Sequence, residues 1–217
     1  MKRSTLLVDD RPLSWIKGRM IALLCLLLLT PLVGAAQTPE LPLGSRLPMA
    51  DSPFLKVGGA KVPLGSLAGE KGTVLVFWSN QCPWVDKYQD RITALAGQFK
   101  GQGVQFILLN ANDASSFPKE TVAESSQVLE GLGSDVVYLI DEGSLLAQAV
   151  GASRTPHVYA FDGDLALSYL GTIDDSPGDP GGVKNPYLLQ ALTSVLAGQA
   201  PAVPKTKAFG CMIKFKK

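Results

Sequence analysis

The chain has few histidines and cysteines, the side chains that form zinc sites. It contains one histidine and three cysteines, and no Cys/His cluster has the spacing of a zinc site. Several aspartates stand among glycine and proline, where turn formation explains them. They lack the twelve-residue spacing and the terminal glutamate of a calcium loop; they are Asp162, Asp164, Asp174, Asp175 and Asp179. The sequence therefore predicts no metal site.

The apolar run near the amino terminus is short for a membrane span, which takes about 20 residues. It extends from Met20 to Val33 and is broken by Pro31. Basic residues precede it and the small residues Gly34, Ala35 and Ala36 follow, so residues 1–36 are predicted to be a secretory signal peptide. An uncleaved membrane anchor is the alternative, because the charged segment before the run is long. We expect a periplasmic or secreted protein, or a membrane-anchored one.

Charge gives no indication of a polyanionic partner. Without residues 1–36 the chain keeps 181 residues, with 15 Lys and Arg against 17 Asp and Glu, so nothing favours binding to nucleic acid. That length suits one compact domain. We divide it into an extended leading segment (37–50), a domain (51–199) and a basic C-terminal tail (200–217) that contains Cys211.

The most informative segment joins a strand to a helix through a cysteine. The β-formers Thr73 to Trp78 lead into a polar turn that ends at Cys82. Pro83 suits the first helical position, and apolar residues then recur at helical spacing, at Val85, Tyr88, Ile92, Leu95 and Phe99. Cys82 is therefore predicted at a helix N-cap, where backbone N–H groups and the helix dipole favour the thiolate.

Two interpretations of Cys82 follow. Free cysteines are among the most buried residues, so a small core residue at a strand–helix junction is the simpler one. Pro83 and the polar turn before Cys82 favour the other, in which the sulfur is open to solvent and acts as a nucleophile. The second cysteine of the exported chain, Cys211, leaves three possibilities: a structural disulfide, a redox couple or two independent thiols.

The order of elements predicts an α/β fold with a mixed sheet between helices. A hairpin around Gly58-Gly59 comes first. Strands at 73–78, 104–109 and 136–140 then alternate with helices at about 82–100, 119–132 and 144–150. A second hairpin, 157–161 with 165–170, and a helix at 185–196 complete the domain.

Four sequence blocks carry a family resemblance. They are Cys82-Pro83-Trp84-Val85, Thr155-Pro156-His157-Val158-Tyr159, Ile173-Asp174-Asp175 and the tail block Thr206 to Cys211. Together they resemble the peroxiredoxin-like group of the alkyl hydroperoxide reductase/thiol-specific antioxidant (redoxin) family, within the thioredoxin-fold superfamily. The resemblance covers about residues 43–196, and it implies a thioredoxin-like fold.

The resemblance also implies roles for individual residues. Thr155-Pro156 matches the cis-proline that faces the reactive cysteine. Arg154 falls where a peroxiredoxin has its active-site arginine, which would hold the thiolate and orient a peroxide. Ser79 matches the hydroxyl residue three positions before the cysteine. Val85 replaces the second cysteine of a C-x-x-C motif, so no vicinal disulfide forms, and Leu75 replaces the peroxiredoxin proline.

Two other side chains have more than one interpretation. Trp84 is a candidate for the wall of a substrate pocket, with packing as the alternative. His157, the only histidine, is expected to be structural, because a thiolate of low pKa requires no general base.

These observations predict an exported thiol oxidoreductase that needs no bound cofactor. Cys82 would attack a peroxide or a protein disulfide, and Cys211 or an external thiol would complete the cycle. Ser79, Trp84, Thr155 and Pro156 would line the substrate site, with Arg154 beside the sulfur. The rival is a binding or structural module in which Cys82 and Cys211 form a permanent disulfide.

Overall fold

A computed structural model describes residues 38–216. The predicted signal peptide lies outside the described residues, as does Cys25. Within residues 38–216, no helix combines the length and the apolar character that a bilayer span requires.

A seven-stranded mixed sheet is the centre of the described domain. Along the chain the strands are β1 (Pro53–Lys56), β2 (Lys61–Pro63), β3 (Gly72–Trp78), β4 (Val104–Asn110), β5 (Val136–Ile140), β7 (His157–Asp162) and β8 (Leu167–Gly171). Their order in the sheet is β2-β1-β5-β4-β3-β7-β8. The β3–β4 and β4–β5 pairs are parallel, and the remaining pairs are antiparallel.

Helices cover both faces of this sheet. They are α1 (Pro83–Lys100), α2 (Val122–Leu132), α3 (Leu145–Val150) and α4 (Tyr187–Leu196). Buried side chains of α1, α2 and α4 pack in one apolar cluster, and those of α3 pack in a second cluster. The strand β3 is buried at every position, as predicted from its nearly continuous apolar sequence. The predicted α/β fold is confirmed.

A second, two-stranded sheet lies at the end of the domain. It pairs β6 (Arg154–Thr155) with β9 (Cys211–Met212) in antiparallel register, so that Thr155 is opposite Cys211. The sequence pattern did not predict β9, because two residues in a lysine-rich terminus carry no strand periodicity. This short pair brings the C-terminal tail back onto the domain.

Candidate active site

Cys82 lies where β3 passes into α1, at a position set by the local sequence. It is the N-cap residue of α1, with extended backbone angles and Pro83 in the first turn. Its carbonyl accepts hydrogen bonds from the N–H groups of Val85, at 2.9 Å, and Asp86, at 3.2 Å. The predicted N-cap position is confirmed.

The Thr155-Pro156 segment faces Cys82. Its peptide bond is cis, as the family resemblance implied. The Cys82 Sγ lies 3.1 Å from the carbonyl oxygen of Thr155. Two segments that are 73 residues apart in sequence therefore meet at one sulfur atom.

Cys211 completes the arrangement from the tail. Its Sγ lies 2.7 Å from the Cys82 Sγ, and both cysteines are free thiols. Burial, followed by the neighbouring Cys82, raises the pKa of Cys211 to about 11, and the nearby charge of Lys214 opposes this shift only weakly. The short distance between the two sulfur atoms leaves a structural disulfide or a redox couple as the interpretations of this pair.

The expectation that the Cys82 sulfur is open to solvent is wrong. Cys82 is 1% exposed and belongs to the apolar cluster beneath α1. The physical reason is the tail, which lies over the helix N-terminus and places Cys211 against the sulfur. A cleft of about 200 Å3 still reaches the two cysteines, and its wall includes Ser79, Phe117 and Lys214.

Arg154 is hydrogen-bonded to the C-terminal tail. Its Nη1 donates a hydrogen bond to the carbonyl oxygen of Gly210 at 3.2 Å. Within the described part of the chain, its guanidinium donates to neither cysteine sulfur. This hydrogen bond holds the tail next to β6, which pairs directly with the tail strand. The role of Arg154 beside the sulfur stays a prediction.

Ser79 is held by a residue that the sequence did not indicate. Its hydroxyl donates to Glu120 Oε1 at 2.5 Å. The other carboxylate oxygen of Glu120 accepts from the Asn80 N–H at 3.0 Å and from Asn110 Nδ2 at 2.9 Å. Glu120 is 1% exposed, and its position in a polar stretch between β4 and α2 gave no signal of burial. The buried carboxylate thus fixes the turn that precedes Cys82.

Trp84 packs against the tail. Its ring lies 4.6 Å, centroid to centroid, from that of Phe209 in an edge-to-face arrangement, which is a favourable geometry for aromatic pairs. Trp84 is only partly buried. Its role as the wall of a substrate pocket stays a prediction.

His157 is a buried residue of β7. It is fully buried, and burial lowers its pKa to about 4, although nearby Glu40 opposes this shift. His157 and Tyr159 alternate with Val158 along β7, and Val158 shares the apolar cluster of Cys82. His157 therefore lies on the opposite face of the sheet, as a structural histidine.

The Ile173-Asp174-Asp175 block serves an internal ion pair. Asp174 is buried, accepts a hydrogen bond from the Tyr88 hydroxyl at 3.0 Å and pairs with Arg91 at 2.5 Å. Asp175 accepts hydrogen bonds from the backbone of Lys184 and Asn185. Residues 38–216 contain no cluster of ligating side chains that could hold a metal ion.

The fold and the site together define a thioredoxin-fold protein in which a cysteine at a helix N-terminus lies next to a second cysteine from the C-terminal tail. The chain belongs to the Redoxin family, whose model matches residues 42–185.

Two relatives share about a third of their aligned residues with the chain. It is 32% identical over 98 residues to the thiol-disulfide oxidoreductase ResA of Halalkalibacterium halodurans, a match that covers 45% of this chain and 51% of that protein. The chain thus spans about half the length of this curated relative. The crystal structure of a hypothetical protein of Sinorhizobium meliloti, SMc02350, is similar with 31% identity and a TM-score of 0.75, over 83% of this chain and 98% of that one.

A more distant likeness concerns the fold alone. The peroxidoxin BcpB of Mycobacterium tuberculosis is 16% identical, with a TM-score of 0.55 over 73% of this chain and 98% of that chain. The predicted thioredoxin-like, redoxin-type fold is confirmed.

Proposed function

We propose that the protein is a thiol oxidoreductase in which Cys82 and Cys211 alternate between a dithiol and a disulfide. The observation that carries this proposal is the 2.7 Å separation of their sulfur atoms at the N-terminus of α1. A disulfide bond is about 2.0 Å long, so a small displacement joins the two residues. Helix N-termini favour thiolates in general, and Cys82 is the cysteine at the N-terminus of α1, whereas burial raises the pKa of Cys211 to about 11.

Cys82 is the attacking residue in this cycle. On a peroxide, its thiolate takes one oxygen atom and becomes a sulfenic acid, and the other oxygen leaves as hydroxide or alkoxide and is protonated. The Cys211 thiol then displaces water from the sulfenic acid, and a disulfide forms. On an external disulfide, Cys82 forms a mixed disulfide and releases one thiol, and Cys211 releases the second. An external thiol reductant returns the pair to the dithiol.

Other predicted residues take supporting roles. The Thr155 carbonyl oxygen lies 3.1 Å from the Cys82 sulfur, which supports a positioning role for the Thr155-Pro156 segment at the reactive cysteine. Ser79 lines the cleft. Arg154 holds the tail, and with it Cys211, in place through its hydrogen bond to the Gly210 carbonyl. The amino-terminal sequence pattern supports export to the periplasm or beyond it.

A structural role is the second candidate, and the burial of Cys82 favours it. In the chain-entropy model, closing a loop between cysteines that are 129 positions apart in sequence stabilises the fold by roughly 5 kcal/mol. A permanent disulfide of this kind would not cycle.

The experiment that tests the catalytic proposal is rapid mixing of the reduced chain with hydrogen peroxide or with a small disulfide. We expect formation of the Cys82–Cys211 bond, its loss in Cys82→Ser, and accumulation of a sulfenic acid or mixed disulfide on Cys82 in Cys211→Ser. Cys25→Ser is the matched control, because it removes the remaining cysteine of the chain. No reaction of Cys82 with either oxidant would refute the catalytic proposal.

A further inference from the structure

The C-terminal tail makes a continuous set of contacts over the site. Before Cys211, the Thr206 N–H donates to the Leu170 carbonyl at 3.0 Å, and the Thr206 hydroxyl oxygen accepts from the Thr172 N–H at 2.9 Å. After it, Ile213 is buried and its N–H donates to the Ser153 carbonyl at 3.0 Å. Lys214 adds a backbone hydrogen bond to the Asn112 side chain at 3.0 Å.

Gly210 is the point of closest approach between the tail and the cis-proline segment. Its φ is +144°, a value that favours glycine. A Cβ atom at this position would collide with the carbonyl oxygen of Thr155 and lie 3.2 Å from the Pro156 ring. Docking of the tail in this register therefore requires glycine at position 210.

The docked tail occupies two surfaces that a large substrate would need. One is the edge of β6, which pairs with β9; an extended polypeptide that binds by strand addition uses such an edge. The other is the ring of Trp84, covered in part by Phe209. What stays open is the cleft of about 200 Å3 that ends at the two cysteines.

We infer that residues 205–216 form a removable cover that restricts Cys82 to small oxidants while it is docked, and that a protein disulfide reaches Cys82 only after the cover is released. This inference rests on the proposed function and narrows its substrate class. The cover is held by backbone hydrogen bonds, by the buried side chain of Ile213 and, around the cysteines, by the exposed Phe209 ring and the Arg154–Gly210 hydrogen bond. Local opening of such a segment costs less than global unfolding.

The test compares two reagents that share one reactive group and differ in size. Cys25→Ser and Cys211→Ser are combined, so that Cys82 is the sole thiol. Its rate constants are measured with N-ethylmaleimide and with a maleimide that carries a polyethylene glycol chain of several kilodaltons. Size selectivity is the ratio of the small-reagent rate constant to the large-reagent one.

Two variants release the cover. Gly210→Ala prevents docking in the observed register, and a chain that ends at Pro204 removes the cover completely. We expect the size selectivity to fall by about tenfold or more in both variants, because the large reagent then reaches Cys82 without waiting for the tail to open. Gly178→Ala is the matched control, since a Cβ there meets no atom within 4 Å, and its selectivity should stay unchanged.

A size selectivity that is equal in the covered chain and in both folded variants overturns the inference. Circular dichroism establishes whether each variant is folded. If the chain that ends at Pro204 does not fold, the comparison rests on Gly210→Ala alone. The proposed function fails by a different result, namely absence of the Cys82–Cys211 bond after peroxide or disulfide treatment of the native chain.

Discussion

Replacement of Glu120 by alanine tests whether a buried carboxylate organises the turn before Cys82. In the native protein this carboxylate accepts hydrogen bonds from the Ser79 hydroxyl, the Asn80 N–H and the Asn110 amide. Alanine leaves these donors without their acceptor in a buried site. An unsatisfied buried donor costs about 1–3 kcal/mol, and the Ser79 hydroxyl can rotate toward the cleft. We therefore expect a loss of roughly 3–5 kcal/mol in the free energy of unfolding.

Urea denaturation at neutral pH measures this loss, with Glu130→Ala as the control. Glu130 is exposed on α2, and a surface substitution of this kind changes stability by no more than about 0.5 kcal/mol. Glu120→Gln should be intermediate, because its amide oxygen still accepts one hydrogen bond while its NH2 group faces other donors. A Glu120→Ala protein within about 1 kcal/mol of the native one would refute the argument.

Two further predictions concern buried ionisable side chains. The pKa of His157 falls from 6.5 to about 4 on folding, mainly through burial, so the unfolded chain binds the extra proton and stability decreases as pH falls from about 6.5 to about 4. His157 accounts for roughly 3 kcal/mol of the change in the free energy of unfolding over this pH range. The His157→Phe variant should lack this part of the pH dependence when its unfolding is measured at several pH values. A pH dependence equal to that of the native protein would contradict the prediction. Asp174→Ala leaves Arg91 without its buried partner and should cost about 3 kcal/mol, against almost nothing for the exposed Asp90→Ala; equal effects in thermal denaturation would contradict the importance of the ion pair.

The parts of the fold that were predictable from sequence are those with strong periodicity. The apolar strand ending at Trp78 and the helix that follows Cys82 have bounds close to those expected, because burial on a sheet imposes its period on the sequence. The cis bond at Thr155-Pro156 was found through the family resemblance and not through periodicity.

The features that sequence did not reveal depend on contacts between distant segments. The sequence around Cys211 does not show that it forms a strand that pairs with β6 at Thr155. The burial of Cys82 beneath the tail was therefore not predicted. Glu120 resembles any surface glutamate until Asn110 and Ser79 surround it. Arg154 was assigned to the sulfur by analogy, whereas its hydrogen bond goes to Gly210.

The reduction potential of the Cys82–Cys211 pair tests the central claim most directly. It is measured by equilibrating the full chain in thiol–disulfide buffers and mapping the linked peptides by mass spectrometry. A catalytic couple should lie between about −270 and −120 mV, the range of redox-active thioredoxin-fold proteins. A value below about −300 mV, typical of structural disulfides, or the absence of a Cys82–Cys211 bond under every oxidising buffer, would contradict the account.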